Sequence, residues 1–156
     1  MNGAAVGIGM TMVLPCDVIL ASDKAKFGML FIKVGLVPEL ASTHFLVQRI
    51  GFGRASEMCL SGKLYPGAEA HAWGLADRLC DADDLLPQAL ALAAEIATNP
   101  DPQLRMIKEL LSRNGSETDF GQVQRLESEM LRECWKSAEH KEAVAAFLAK
   151  RPPKFR

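Results

Sequence analysis

The chain has 156 residues, a formal net charge of −1 and a pI near 6.3. That length fits one domain, or one domain with a helical extension, and the near-neutral charge argues against a general nucleic-acid or membrane-surface role. Apolar residues at 49% against 24% charged leave ample material for a core, while no apolar run approaches a membrane span and no basic region precedes a signal-type apolar core. Cys16, Cys59, Cys80 and Cys134 are scattered, without a CxxC or a Cys/His cluster. They read as free thiols in a reducing compartment, with cytoplasm as the expected location and no metal site.

The first segment, Met1–Asp17, carries Gly3, Gly7 and Gly9 ahead of the apolar run Met10–Leu14. Glycines before an apolar run fit a tight turn that opens a helix and presents bare backbone N–H groups, a geometry suited to an anionic oxygen, although this stretch by itself favours glycines that serve only close packing. The spacing is neither the dinucleotide GxGxxG nor a phosphate loop ending in Lys-Ser/Thr. A helix is predicted over Val6–Leu14, with no room before it for the strand that such a turn usually follows, as in the C-terminal part of a larger fold. Asp17–Ala21 reads as a strand, Ser22-Asp23-Lys24 as a turn, and Lys26–Met29 as a second strand. Phe31–Val37 is apolar, broken by Gly35, and Pro38 marks a loop or a helix entry.

Beyond Leu40 the period becomes helical. Leu46, Val47 and Ile50 share a face, with Gly51 as a stop, and Arg54–Leu60 forms another short helix closed by Ser61-Gly62. Pro66–Trp73 is a third helix, ended by Gly74, and Leu75–Cys80 is a strand. This alternation predicts α/β layering over residues 1–80. From residue 81 the pattern is helical only. Leu86, Leu90, Ala93 and Ala97 align, then Leu104, Ile107 and Leu111, then Val123, Leu126, Met130 and Cys134. Asp101 is placed to cap the second of these helices, and His140–Lys150 forms the last, before Pro152-Pro153.

Taken together, the segments resemble the enoyl-CoA hydratase/isomerase (crotonase) family. The matching stretches are Asn2–Gly9, Cys16–Ser22, Ala25–Gly28, Gly35–Glu39, Gly51–Ala55, Leu60–Lys63, Ala68–Ala70 with Trp73–Leu75, and Ala146–Phe155. They occur in the family's order and spacing and cover about the second half of its fold. The resemblance implies a partial crotonase-like ββα spiral over residues 1–80, followed over 81–156 by an α-helical oligomerisation region that builds a homotrimer or a dimer of trimers. It implies an acyl-CoA thioester as ligand, with coenzyme A entering as part of the substrate and no other cofactor. The enolate of that thioester is held by two backbone donors. One is expected from the Gly7-Ile8-Gly9 turn, most simply the N–H of Ile8. The other, with most of the CoA surface, belongs to the half of the fold that lies outside the match.

The resemblance also indicates the chemistry. Hydratases of the family use two glutamates, and the matching positions here are Thr11 and Phe31, neither of which can transfer a proton as a carboxylate does. Glu39 instead matches the single glutamate of the family's enoyl-CoA isomerases, which take a proton from C2 of a 3-enoyl thioester and return it at C4. Gly7, Gly9 and Phe31 are expected to bind substrate, and an apolar collar of Phe31, Leu36, Val37 and Leu40 would desolvate Glu39 and strengthen it as a base. Judged on the residues alone, Glu39 reads rather as a solvated side chain opening the next helix, where an acidic group suits the dipole. Phe147 and Lys150 match residues that reach a neighbouring subunit's CoA; otherwise they belong to an amphipathic interface helix, with Phe147 in the core. Ser42-Thr43-His44 does not form a nucleophile–base pair, because adjacent helical residues do not face each other. The alternatives to isomerisation are a catalytically silent oligomerisation module, or hydration, dehalogenation or thioester hydrolysis on the same fold.

Overall fold

The computed structural model of the chain describes residues 1–155. The chain divides into two compact units, Met1–Leu90 and Ala91 onward, and the division falls inside a helix.

The first unit is α/β. Strand β1 (Ala4–Val6) runs straight into the one-turn helix α1 (Ile8–Thr11), so the strand for which the sequence seemed to leave no room is present. It is only three residues long and buries only Ala5, which is why no apolar alternation announces it. Strands β2 (Leu20–Ser22) and β3 (Lys26–Gly28) follow, the first lying three residues later than the Asp17–Ala21 run predicts. After a 3₁₀ turn (Leu30–Val34) comes the long helix α2 (Ser42–Ser61). Gly51, at φ 75° and ψ 164°, breaks α2 into the two helices expected on either side of it. Strand β4 (Tyr65–Pro66), helix α3 (Gly67–Trp73) and strand β5 (Arg78–Cys80) complete the set ahead of helix α4 (Leu85–Ala97).

Two small sheets organise these elements. In one, β3 is central, parallel to β1 with Ala5 opposite Phe27, and antiparallel to β4 with Phe27 opposite Tyr65. In the other, β2 and β5 pair in parallel with Ala21 opposite Leu79. Phe27, Met10, Leu14, Met29, Leu46 and Met58 are fully buried in one core beneath them. Each such side chain contributes about 2–3 kcal/mol by leaving water. The core therefore fixes both ends of the segment that follows the glycine turn: Met10 anchors α1, and Leu14 anchors its exit.

One side chain ties the irregular stretch 14–19 to the rest of the unit. Arg49, on α2, donates from Nε to the Leu14 carbonyl at 3.0 Å and from Nη2 to the Cys16 carbonyl, and its Nη1 lies 3.3 Å from Asp77 Oδ2. The same Asp77 oxygen accepts the Ile19 N–H at 2.6 Å. The Leu14 and Cys16 carbonyls lie outside both sheets, and a planar guanidinium supplies several donors at once.

The second unit contains α5 (Asp101–Asn114), α6 (Phe120–Lys136) and α7 (Ala138–Leu148). Asp101 does not cap α5. Pro100 takes the cap position, and Asp101 instead accepts from Arg105 one turn later at 2.9 Å. The capping side chains are Asp119, which accepts from the N–H groups of Gly121 and Gln122, and Ser137, which accepts from that of His140. Cys134 and Met106 meet between α6 and α5 with their sulfurs 3.6 Å apart. Beyond α7 the chain turns back: Arg151 donates to both oxygens of Glu142 at 2.6 and 3.0 Å, and the Lys154 N–H adds a third bond at 2.8 Å.

Two outcomes follow. Replacing Arg49 with Met, which keeps the apolar stem and removes the donors, should lower unfolding stability by about 2–3 kcal/mol in a urea titration. The Arg151 guanidinium and the Lys154 N–H hold the Glu142 carboxyl down at about 2 from an ordinary 4.5. Because the folded value is depressed, the tail tether contributes fully above pH 4.5 and is lost as pH falls through about 2. A ¹³C titration of the Glu142 carboxyl should show that midpoint, and an Arg151→Ala variant should move it upward.

Candidate functional site

The site begins at Gly7, where β1 ends and α1 starts with no intervening loop. Gly7 has φ 54° and ψ −129°, a combination that a side chain makes severely unfavourable. This reversal lets one carbonyl, that of Gly7, accept from both the Met10 and the Thr11 N–H, at 2.9 and 3.0 Å. The N–H groups of Ile8 and Gly9 have no acceptor among the described residues, as expected for the first positions of a helix. The Ile8 side chain is 66% exposed, so its burial is not what holds it at this position.

The last residue of α1 carries the contact that defines the site. Thr11 is fully buried, and its hydroxyl donates to Glu39 Oε1 at 2.6 Å. That distance is typical of an O–H donor to an ionised carboxylate. The second acceptor within reach, the Ile8 carbonyl, lies at 3.4 Å and is the weaker partner. Glu39 Oε2 accepts no hydrogen bond among the described residues. A carboxylate from the 36–41 loop is thus fastened, by one of its two oxygens, to the helix whose opening N–H groups are free.

The backbone around Glu39 is constrained as well. Leu40 and Ala41 both adopt the left-handed conformation, with φ 55° and 53°. Non-glycine residues in that region cost on the order of 1–2 kcal/mol each. The Ser42 N–H closes the turn on the Glu39 carbonyl at 3.1 Å. Ser42 is itself buried, and its hydroxyl oxygen has no hydrogen-bond partner in the described structure. It neither caps α2 nor forms a dyad with His44, which is exposed and packs edge-on against Phe45.

Several expected features fall differently. The apolar collar around Glu39 is not formed: Glu39 is exposed, and Leu36, Val37 and Leu40 are 60%, 80% and 54% exposed. Their run is too short to be both helical and buried, and it leaves the 3₁₀ turn pointing into solvent. Phe31 is half-buried and packs against the core, while Gly7 and Gly9 are half-buried in the turn. Thr11, which the sequence marks only as a missing carboxylate, proves to be the partner of Glu39. Its one available signal was its position at the end of the helix that the turn opens.

Phe147 and Lys150 lie at the end of α7, in the second unit. Phe147 is 81% exposed, so it is not the core residue that the amphipathic-helix alternative requires. Lys150 has φ 50°. Its N–H donates to the Phe147 carbonyl and the Arg151 N–H to that of Ala146, the paired bonds of a helix stop that usually has glycine in this position. Among the described residues, no group of three or more His, Cys, Asp or Glu side chains is gathered as metal ligands, and no helix is long and apolar enough to cross a membrane.

This architecture recurs in known proteins. The chain superposes with a TM-score of 0.91 on the crystal structure of an enoyl-CoA hydratase from Polaromonas sp. JS666, at 31% identity, with 99% of this chain and 60% of that one aligned. It is 38% identical to 1,2-epoxyphenylacetyl-CoA isomerase of Escherichia coli K12 over 155 residues, 99% of this chain and 58% of that protein. It is 35% identical to an enoyl-CoA hydratase of Alternaria alternata over 156 residues, 99% of this chain and 52% of the other. The chain thus spans somewhat more than half the length of these relatives. The family model for enoyl-CoA hydratase/isomerase matches residues 1–156, from the glycine turn through the last helix. This chain belongs to the enoyl-CoA hydratase/isomerase family.

Proposed function

We propose that this chain handles acyl-CoA thioesters and shifts the double bond of a 3-enoyl-CoA into conjugation as the 2-enoyl-CoA, with Glu39 as the single base. The observation that carries the reading is the Thr11–Glu39 hydrogen bond, which holds a carboxylate against the short helix that opens with the free Ile8 and Gly9 N–H groups. Glu39 takes a proton from C2, and the electron pair left behind delocalises onto the thioester oxygen. The Ile8 N–H, pre-aimed, donates to that oxygen as charge develops. The carboxylic acid then gives its proton to C4, which the C3–C4 π pair captures, while the C1–C2 π pair of the enolate shifts to form C2=C3 and the carbonyl re-forms. No water is consumed, so a second carboxylate is not needed.

The 38% identity with an enzyme named 1,2-epoxyphenylacetyl-CoA isomerase supports an isomerisation on a CoA thioester, there of an epoxide. Hydration fits less well, because Thr11 and Phe31 occupy the two positions where the family's hydratases carry glutamates. Gly7 and Gly9 would let the thioester approach the backbone, and Phe31 would contact the acyl chain. Phe147 and Lys150 would serve the CoA of a neighbouring copy, one by stacking and one by pairing with phosphate. In this reading residues 1–80 are part of the ββα spiral, 81–156 form the oligomerisation region of a homotrimer or dimer of trimers, and the protein works in the cytoplasm with no cofactor beyond the CoA of its substrate. The exposed Leu111, Phe120, Trp135 and Leu148 support self-association, and they equally favour a second reading, a catalytically silent oligomerisation module.

Conversion of a 3-enoyl-CoA, followed by the absorbance of the conjugated product, separates the two. Glu39→Gln should lose about 10²–10⁴-fold in kcat with assembly intact; full activity in the variant would refute the base assignment, and an inactive but oligomeric wild type would support the silent module. Lys150→Gly should relieve the left-handed strain, stabilising the helix by about 1 kcal/mol in thermal unfolding. The same change should weaken CoA binding about fivefold in calorimetry. Unchanged affinity would remove Lys150 from the site.

A further inference from the structure

We infer that Thr11 is a positioning residue that commits one oxygen of Glu39 to holding the carboxylate in place and leaves the other to carry the proton; this rests on the reading of Glu39 as the base. A threonine hydroxyl has one proton to donate, and two acceptors are in range. Glu39 Oε1 at 2.6 Å is far better placed than the Ile8 carbonyl at 3.4 Å. The donor has little freedom to turn elsewhere. Thr11 is fully buried, its branched Cβ restricts rotation, and its own N–H is held by the Gly7 carbonyl.

The acceptor has far more freedom. Glu39 is exposed, and its neighbours Leu36, Val37 and Leu40 do not enclose it. The only hydrogen bond on its side chain among the described residues is the one from Thr11. The left-handed pair Leu40–Ala41 and the Ser42 N–H fix its backbone, but they do not set its side-chain torsions. Without the hydroxyl, a glutamate with three rotatable bonds in water would leave α1 and sample many rotamers. With it, Oε1 is engaged and the carboxylate plane is set. Oε2 then receives the C2 proton and returns it to C4. Such a site needs no collar, because orientation does the work that enclosure does elsewhere.

A second consequence concerns the fate of the proton. An anchored carboxylate keeps the abstracted proton on Oε2, between C2 and C4. A free one rotates into solvent and exchanges it. The fraction of C2 deuterium recovered at C4 therefore reports anchoring directly, whereas general loosening of the fold would not change it selectively.

The test compares wild type, Thr11→Val and Thr11→Ser in the full chain. Valine keeps the shape and removes the donor; serine restores the donor. With a C2-deuterated 3-enoyl-CoA, Thr11→Val should lose roughly 10- to 100-fold in kcat with KM within about twofold, and deuterium transfer to C4 should fall toward zero. Thr11→Ser should recover most of both. Alongside, the Glu39 carboxyl ¹³C resonance, assigned through Glu39→Gln, should shift in Thr11→Val and return in Thr11→Ser, a readout that needs no turnover. Unchanged kcat, transfer and carboxyl resonance in a folded Thr11→Val would overturn the inference. An active Glu39→Gln, by contrast, would overturn the base assignment while the resonance still decides whether Thr11 orients Glu39.

Discussion

Everything at the candidate site depends on the backbone reversal at Gly7. With φ 54° and ψ −129°, it ends β1 and starts α1 within one residue. Three things follow from that single turn. The Gly7 carbonyl is spent on the Met10 and Thr11 N–H groups, the Ile8 and Gly9 N–H groups are left without acceptors, and Thr11 is placed one turn on, buried, with its hydroxyl reaching Glu39. A side chain at position 7 would open the turn and move all three together. The long-range anchors are Met10, in the core, and the pairing of β1 with β3.

The loop that carries Glu39 is built on a different principle. It is poor in buried contacts and rich in strain, with two consecutive left-handed non-glycine residues and a buried serine hydroxyl that lacks a partner. Each of these features costs free energy that a loop of purely structural purpose would have no reason to bear. Their position beside a carboxylate tied to the glycine turn is consistent with a segment shaped for what it holds. Lys150 repeats the pattern on a smaller scale, occupying a helix-stop position where glycine would be easier.

Much of this was legible in the sequence, for physical reasons that differ by element. The helices from α2 onward announce themselves by apolar period and by Gly51 and Gly74, because a helix needs a stripe and a stop. Strand β1 was invisible, since three residues with one buried alanine carry no alternation, and β2 was displaced because the β-branched run Val18-Ile19 lies just ahead of it. Asp101 looks like the cap of α5, but the preceding Pro100 holds the cap position, and the side-chain caps, Asp119 and Ser137, open helices whose starts carry no stronger local signal. At the site, the glycine turn and Glu39 could be named from their motifs. The hydrogen bond that joins them could not, because Thr11 and Glu39 are 28 residues apart and nothing local in either segment refers to the other. The expected apolar collar failed for the converse reason: neighbours in sequence are not neighbours in space when the loop between them faces water.

The proposed role of the glycine turn can be examined without turnover. The measurement is the ¹⁵N–¹H spectrum of the chain during titration with an acyl-CoA thioester and, separately, with the matching thioether that lacks the carbonyl oxygen. A turn that holds the thioester oxygen should shift the Ile8 amide downfield with the thioester and not with the thioether at equal occupancy. If both ligands bind and neither shifts Ile8, or both shift it alike, the turn does not hold the thioester oxygen.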